Sequence, residues 1–275
     1  MKRVVAIALI FAPILAHADN LPKVASINLC TDQLAMALAD PQQILGLGPF
    51  ARDASQSFDA EKAKQFRRLS GEAEDVLALR PDIVLAGDYT KRETRALLKD
   101  KGLRVEEFSF ARSADEVKSQ IRRMGDLLRQ PQRAADDIAK IDTAIADARK
   151  AAAAKPYRVL PVSRRGWVTG GDSLANSLLA EARVKNAASE LGLGFGGFAS
   201  LETIIALQPD LLLVSSNETF AQDEGEAFLL HPALEKFYPP QKRIALPDRL
   251  TVCGGPMLAD ALKKLTAELQ RVARP

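Results

Sequence analysis

The chain has 275 residues, 47% of them hydrophobic, and its 38 Lys and Arg against 35 Asp and Glu give a formal net charge of +3. This length suits one two-lobed protein or two small domains, and a charge so near zero argues against a nucleic-acid-binding surface. The N-terminus reads Met-Lys-Arg, then an apolar run from Val4 to Leu15, then Ala16-His17-Ala18, which is the pattern of a signal peptide. We therefore expect residues 1–18 to be cleaved on export and the remaining chain to be a soluble periplasmic protein.

The next hundred residues alternate short apolar runs with amphipathic segments. Strands are predicted at Val24 to Asn28, Ile44 to Leu47, 82–86 and Leu103 to Phe108, and helices at about Asp32 to Ala39, 59–66, 73–80, 91–99 and 114–128. Thr31 or Asp32 is the expected N-cap of the first helix, and Thr90 that of the helix at 91–99. Continuous apolar runs are typical of strands covered on both faces, so residues 19–129 are predicted to form an α/β lobe with a parallel sheet.

The segment 130–155 has a different composition. It is rich in Ala, Asp, Lys and Arg, and it places Ile138, Ile141 and Ile145 on one face. That pattern predicts a helix of about 20 residues or more. Its position between two similar halves favours a connecting helix, which Pro156 ends.

The second half, 156–275, is predicted to form another α/β lobe. Strands are expected at Tyr157 to Val162, 210–214 and Arg243 to Leu246, and helices at 172–182 and 257–271. The glycine-rich stretch 192–198 is not a dinucleotide fingerprint, because no strand directly precedes it.

One motif occurs in both halves at an offset of 128 residues. Residues 74–86 read E-D-V-L-A-L-R-P-D-I-V-L-A, and residues 202–214 read E-T-I-I-A-L-Q-P-D-L-L-L-V. Each copy predicts a helix that ends before the proline, followed by a buried strand. Such units occur in many α/β proteins, but the glutamate at the same place in both copies favours two lobes of similar build.

Two cysteines are present, Cys30 and Cys253. In an oxidising compartment a pair of cysteines usually forms a disulfide, which would join the start of one lobe to the end of the other. Free thiols and ligation of a soft metal are the alternatives.

Together these segments resemble the class III periplasmic substrate-binding proteins, the two-lobed receptors of ABC importers for ferric siderophores, cobalamin and haem. The resemblance spans essentially the whole chain after residue 18. It rests on V-A-S-I-N-L-C-T-D-Q-L at 24–34, the repeated E-x-x-x-A-L-x-P-D, the connecting helix, S-L-A-N-S-L-L from residue 173 and a Gly-Gly-Pro turn before the last helix. It departs at Ala182, where the family often has glycine. It implies two Rossmann-like lobes with parallel sheets, joined by one long helix, with a ligand cleft between them.

The resemblance also implies partners. Glu74 and Glu202 match the positions where the family presents one glutamate on each lobe to arginines of the membrane permease subunits, an interaction that suits exposed carboxylates. A carboxylate near a helix N-terminus is also favoured by the helix dipole, which is the alternative role. The other expected partner is a small-molecule chelate containing iron or cobalt, and the protein is expected to be a monomer without a resident cofactor.

Ligands of open α/β sheets bind beyond the carboxyl ends of the strands, which here include the Asp88–Tyr89 loop. The residues predicted to contact the ligand are Asn28, Cys30, Thr31, Arg52, Tyr89, Arg164, Arg165, Trp167, Arg249 and Cys253. Several arginines favour an anionic chelate or a corrinoid with polar side chains. The 5% aromatic content predicts a cleft less aromatic than that of the strongest cobalamin binders.

The sequence has two alternative interpretations. Haem is an alternative cargo, with Tyr89 as its contact. A periplasmic hydrolase is the alternative class, but the chain has no G-x-S-x-G motif, and His231 is the only histidine after His17. A single histidine supplies neither a zinc site nor a recognisable triad, so we expect a binding protein that is neither an enzyme nor a metalloprotein.

Overall fold

The computed structural model describes residues 21–152, 156–215 and 224–273. Its strands are β1 (Val24–Ser26), β2 (Ile44–Gly46), β3 (Ile83–Gly87), β4 (Val105–Phe108), β5 (Arg158–Pro161), β6 (Trp167–Thr169), β7 (Lys185–Asn186), β8 (Gly196–Phe198), β9 (Leu211–Val214) and β10 (Arg243–Ala245). Its helices are α1 (Leu29–Leu38), α2 (Ala60–Ala63), α3 (Ala73–Leu79), α4 (Arg92–Asp100), α5 (Ala114–Leu128), α6 (Pro131–Ala151), α7 (Leu174–Glu181), α8 (Leu201–Leu207), α9 (Glu224–Ala227), α10 (Pro232–Phe237) and α11 (Leu258–Val272). The predicted signal peptide lies outside the described residues.

Two separate parallel sheets carry the two halves of the chain. The first has the strand order β2-β1-β3-β4 and the second β10-β9-β5-β7, and every pair within them is parallel. All five residues of β3 are buried, as its continuous apolar sequence predicted. The α/β architecture with parallel sheets is therefore confirmed.

A short antiparallel ribbon adds a feature that the sequence did not indicate. Strand β6 pairs with β8, so that Trp167 lies opposite Phe198. Part of the glycine-rich stretch 192–198 is thus a strand. Gly196 has a φ of +159°, and a Cβ there would lie 2.7 Å from the carbonyl oxygen of Val168, so the close approach of the two ribbon strands requires glycine at this position.

Helix α6 is packed along its length. Its buried face includes Ile141, Ala144 and Ile145, and these side chains belong to one hydrophobic cluster that also contains Met124 of α5 and Leu265 of α11. The same cluster reaches strands of both sheets. Because its buried face packs closely in a cluster shared by both sheets, α6 is held against both halves of the molecule.

Both N-cap predictions were wrong. Helix α1 begins at Leu29 because Asn28 is its N-cap and accepts hydrogen bonds from the backbone of Cys30 and Thr31; neither Thr31 nor Asp32 has that role. Thr90 does not cap α4, since its hydroxyl accepts a hydrogen bond from the backbone N–H of Gly87 at 3.1 Å.

The departure at Ala182 has a simple explanation. Its φ is −82°, which any residue adopts, and the left-handed residue of this turn is the next one, Arg183, with a φ of +55°. Glycine is therefore not required at position 182.

Candidate ligand-binding cleft

A disulfide between Cys30 and Cys253 joins the two halves of the chain. The two Cα atoms are 5.1 Å apart across 223 residues of sequence. Beside it, a Cβ on Gly254 would lie 2.6 Å from Val117, so helix α5 and the segment before α11 are in direct contact. The predicted pairing is confirmed, and it fixes one end of the seam between the two sheets.

An open cleft of about 590 Å³ lies at this seam. It is lined by Asp88, Tyr89, Ser109, Phe110, Arg112, Glu116, Asp172 and Phe195. Asp88 and Tyr89 follow β3, and Ser109 and Phe110 follow β4. Asp172 and Phe195 come from loops next to β6 and β8. The carboxyl ends of parallel strands therefore meet the second half of the chain here, as expected for a ligand site of open α/β sheets.

Three aromatic rings cross the cleft. The Tyr89 and Phe110 ring centroids are 6.4 Å apart, those of Phe110 and Phe195 are 6.3 Å apart, and both contacts are edge-to-face. The Tyr89 side chain is 79% exposed and that of Phe195 49%. Exposed rings in a concave site are poised to pack against a ligand. The prediction of a cleft with few aromatic side chains, which rested on overall composition, does not describe this local cluster.

A narrow recess adjoins the cleft at the N-terminus of α1. Asn28, Cys30, Asp88 and Tyr89 all line it. A Cβ on Gly87 would lie 2.7 Å from the Asn28 side chain, so glycine at the end of β3 lets the amide pack against the backbone. Asn28, Cys30 and Tyr89 are thus the predicted contact residues that the structure brings to the cleft or its recess.

The other predicted contacts lie elsewhere. Thr31 is fully buried, and its hydroxyl lies 2.8 Å from that of Ser26; it shapes the first turn of α1. Cys253 is 1% exposed in its disulfide. Trp167 is half-buried and packs edge-to-face on Phe198, with ring centroids 5.1 Å apart.

The four predicted arginines are exposed but do not line the 590 Å³ cleft: Arg52, Arg164, Arg165 and Arg249. Arg52 donates a hydrogen bond to the carbonyl of Phe66 at 2.6 Å. The basic cleft expected from the sequence is therefore not formed by these residues, because loop direction and not strand order decides where a long side chain reaches.

Phe110, Arg112, Glu116, Asp172 and Phe195 were not among the predicted contacts. Phe110 was predictable, because it lies two residues beyond the predicted strand that ends at Phe108, and ligands are expected beyond the carboxyl ends of parallel strands. No comparable sequence signal marks Phe195, which reaches the cleft through the β6–β8 ribbon.

Glu74 and Glu202 occupy matching places. Each lies in the first turn of its helix, α3 or α8, and each is exposed. Both helices end at a left-handed residue, Arg80 with a φ of +49° and Gln208 with +47°. Hydrogen bonds from its own backbone N–H and from the Ser200 hydroxyl hold the pKa of Glu202 below its usual range. Each repeat copy thus places an exposed carboxylate at the second residue of its helix.

Within the described residues, no three His, Cys, Asp or Glu side chains are grouped so that they could hold a metal ion. The described helices also include none with the length and apolarity needed to cross a bilayer.

Several solved structures share this architecture. The periplasmic heme-binding protein RhuT from Roseiflexus sp. RS-1, in apo form, is 26% identical, with 92% of this chain and 100% of that chain covered and a TM-score of 0.75. The periplasmic heme-binding protein HutB of Vibrio cholerae is 20% identical, with coverages of 92% and 99% and a TM-score of 0.71. A possible iron-binding, periplasmic solute-binding protein from Staphylococcus epidermidis is 19% identical, with coverages of 90% and 98% and a TM-score of 0.71. At 20% and 19% identity, the last two proteins are evidence for a shared fold alone.

A search of curated proteins found no match to the chain. The model of the family described as "Periplasmic binding protein" matches residues 24–240, which is most of the chain and includes all of the first parallel sheet and strands β5, β7 and β9 of the second. The chain therefore belongs to the periplasmic binding protein family, whose members serve as the substrate-binding proteins of ABC importers.

Proposed function

We propose that this protein delivers a tetrapyrrole metal chelate, containing iron or cobalt, to the permease of its ABC importer. The observation that carries the proposal is the aromatic run Tyr89–Phe110–Phe195, which crosses the cleft between the two halves. A tetrapyrrole has two wide apolar faces, and aromatic side chains supply large contact areas for such faces. The cleft volume of about 590 Å³ lies within the range typical of small-molecule sites.

Haem is one member of this ligand class. The similar Roseiflexus protein is described as heme-binding, which supports haem as a candidate at 26% identity. Tyrosine is an established axial ligand of haem iron, and the exposed Tyr89 is the side chain of this cleft that offers such a group. A corrinoid is the other candidate, held by the same rings through its apolar faces.

A ferric siderophore is the second candidate function. Arg112 lines the cleft, and its guanidinium has no ion-pair partner among the described residues. A free guanidinium binds carboxylate and catecholate oxygens well, so this residue favours an anionic iron chelate.

The test is a titration of the purified mature protein, followed by Trp167 fluorescence and by absorbance of the ligand. The probes are hemin, cyanocobalamin, ferrioxamine B and ferric enterobactin. We expect saturable tetrapyrrole binding that weakens more than tenfold in the double variant Tyr89→Ala, Phe195→Ala. Phe237→Ala is the matched control, because Phe237 is 48% exposed and does not line the cleft. Binding of siderophores alone would refute the proposal in favour of the second candidate.

Each glutamate of the repeat is proposed to dock on the permease, which rests on their equivalent, exposed positions in α3 and α8. Removal of residues 1–18 on export is likewise proposed from the sequence pattern.

A further inference from the structure

The residues that line the cleft carry three carboxylates, from Asp88, Glu116 and Asp172, and one guanidinium, from Arg112. Asp88 follows β3 and Glu116 lies in α5, while Asp172 comes from the loop after β6. Negative charge therefore faces a ligand from both halves of the molecule. This charge pattern is the opposite of the arginine-rich cleft expected from the sequence.

Each of these carboxylates keeps an oxygen available to a ligand. One oxygen of Asp88 accepts a hydrogen bond from the backbone N–H of Phe110 at 3.0 Å. One oxygen of Glu116 accepts from the backbone N–H of Arg112 at 2.7 Å. Both bonds orient the side chain, and no other group among the described residues bonds to its second oxygen. The Asp172 carboxylate makes no side-chain hydrogen bond or ion pair within the described part of the chain.

The edges of the candidate chelates differ in the same chemical property. The edge of haem carries two propionate carboxylates, which are hydrogen-bond acceptors. The single guanidinium of Arg112 can form an ion pair with one of them, which leaves the other negative charge unpaired. The edge of a corrinoid carries amide side chains, whose N–H groups donate to carboxylates. Like charges brought together in a cleft are unfavourable, and complementary groups set specificity.

We infer that Asp88, Glu116 and Asp172 set the charge specificity of this cleft: they favour a chelate whose edge carries amide or ammonium donors and disfavour one whose edge carries carboxylates. The inference rests on the proposed function, because it concerns the same site. Among tetrapyrroles it selects a corrinoid over haem, and among ferric siderophores a cationic hydroxamate over a polyanionic catecholate.

Matched ligand pairs isolate the edge charge from the ring. Cobinamide and cobyrinic acid share the corrin ring and the cobalt, but one edge carries amides and the other carboxylates. Haem dimethyl ester and haem share the porphyrin and differ in the charge of their propionates. We expect the wild-type protein to bind cobinamide about tenfold or more tighter than cobyrinic acid, and the ester tighter than haem. Both preferences should shrink as salt is raised from 50 to 500 mM, because exposed charges are screened.

The triple variant Asp88→Asn, Glu116→Gln, Asp172→Asn keeps the shape of the lining and removes its charge. Each exposed pair is worth about twofold to fivefold in affinity, so the preference should fall by about an order of magnitude. Asp147→Asn is the matched control, since Asp147 is 65% exposed on α6 and outside the cleft. An unchanged preference in the triple variant, or a wild-type preference for the carboxylate forms, would overturn the inference.

Failure of the proposed function gives a different result. If no tetrapyrrole binds in either form, two siderophores test the same charge specificity. Ferrioxamine B carries an ammonium group, and ferric enterobactin is a trianion. A preference for ferrioxamine B that the triple variant loses supports the charge specificity without the tetrapyrrole. Equal or reversed affinities, or no binding of any probe, would reject it.

Discussion

The Asp210 carboxylate accepts a hydrogen bond from the backbone N–H of Arg158 at 2.7 Å, and the Asp210 N–H donates to the Arg158 carbonyl at 2.8 Å. In the other half, Asp82 makes the same two bonds to Lys23, at 2.7 and 2.9 Å. The aspartate of each Pro-Asp motif thus ties the start of its own strand to the start of the neighbouring parallel strand. This shared role explains why the motif needs aspartate in both copies.

Removing this bond should destabilise each half. We expect Asp210→Ala to lower the free energy of unfolding by about 1 kcal/mol, since the bond is charge-assisted but solvent-exposed. Asp82→Ala should lower it by a similar amount. Asp210→Asn is the control, because its amide oxygen can still accept from Arg158. Urea unfolding followed by circular dichroism measures all three variants, and equal stability of the Ala and Asn variants would contradict the role of the bond.

The disulfide should contribute strongly to stability, because it closes most of the chain into one loop. We expect the double variant Cys30→Ala, Cys253→Ala to lose about 2–5 kcal/mol of unfolding free energy. Unfolding in urea with and without dithiothreitol provides the control: the reductant should destabilise the wild-type protein and leave the double variant unchanged. A wild-type midpoint that does not respond to the reductant would show that the bond adds little.

Charge reversal at the repeated glutamates separates docking from ligand binding. Glu202→Arg and Glu74→Arg should each abolish import in cells, since an arginine would repel the arginines expected on the permease. The affinity for the ligand should stay within about twofold of wild type, because neither residue lines the cleft. Asp147→Arg, on α6, is the control for a surface charge change. Weakened ligand binding in Glu202→Arg would instead place that residue at the ligand site.

Asp32 should make stability depend on pH. Its side chain is fully buried, one oxygen accepts from the backbone N–H of Gly48 at 3.0 Å, and the other has no hydrogen-bond partner. Burial raises the pKa of this carboxyl to about 7, while the hydrogen bond from Gly48 and the nearby Ser26 hydroxyl act in the opposite direction. Because the folded pKa exceeds the unfolded value, the stabilising contribution is complete below about pH 4 and is lost as the pH rises to about 7.

We expect Asp32→Asn to remove this dependence, which amounts to at most about 4 kcal/mol between pH 4 and 8. The amide keeps an acceptor for Gly48 and cannot ionise. Urea unfolding at pH 5, 6, 7 and 8 at constant ionic strength measures the difference between the two proteins. Parallel stability curves would show that Asp32 does not titrate in this range.

Local sequence was sufficient to predict many of the helices and strands. Helix α5 occupies the predicted 114–128, and β3 is the buried strand expected after Pro81-Asp82. These features depend on signals that act over a few residues: helical periodicity, the backbone restriction imposed by proline and continuous apolar runs. The disulfide was predictable for a different reason, since two cysteines leave a single pairing.

Only the tertiary structure decided what faces the ligand. Phe110 and Phe195 are 85 positions apart in sequence and meet across the cleft, while four predicted arginines point elsewhere. The sequence determines which loops follow which strands. The direction of a side chain within such a loop depends on packing, on backbone hydrogen bonds such as those of Asp88 and Glu116, and on the antiparallel ribbon that carries Phe195. The acidic and aromatic character of the cleft is therefore a property of long-range contacts, which no local pattern encodes.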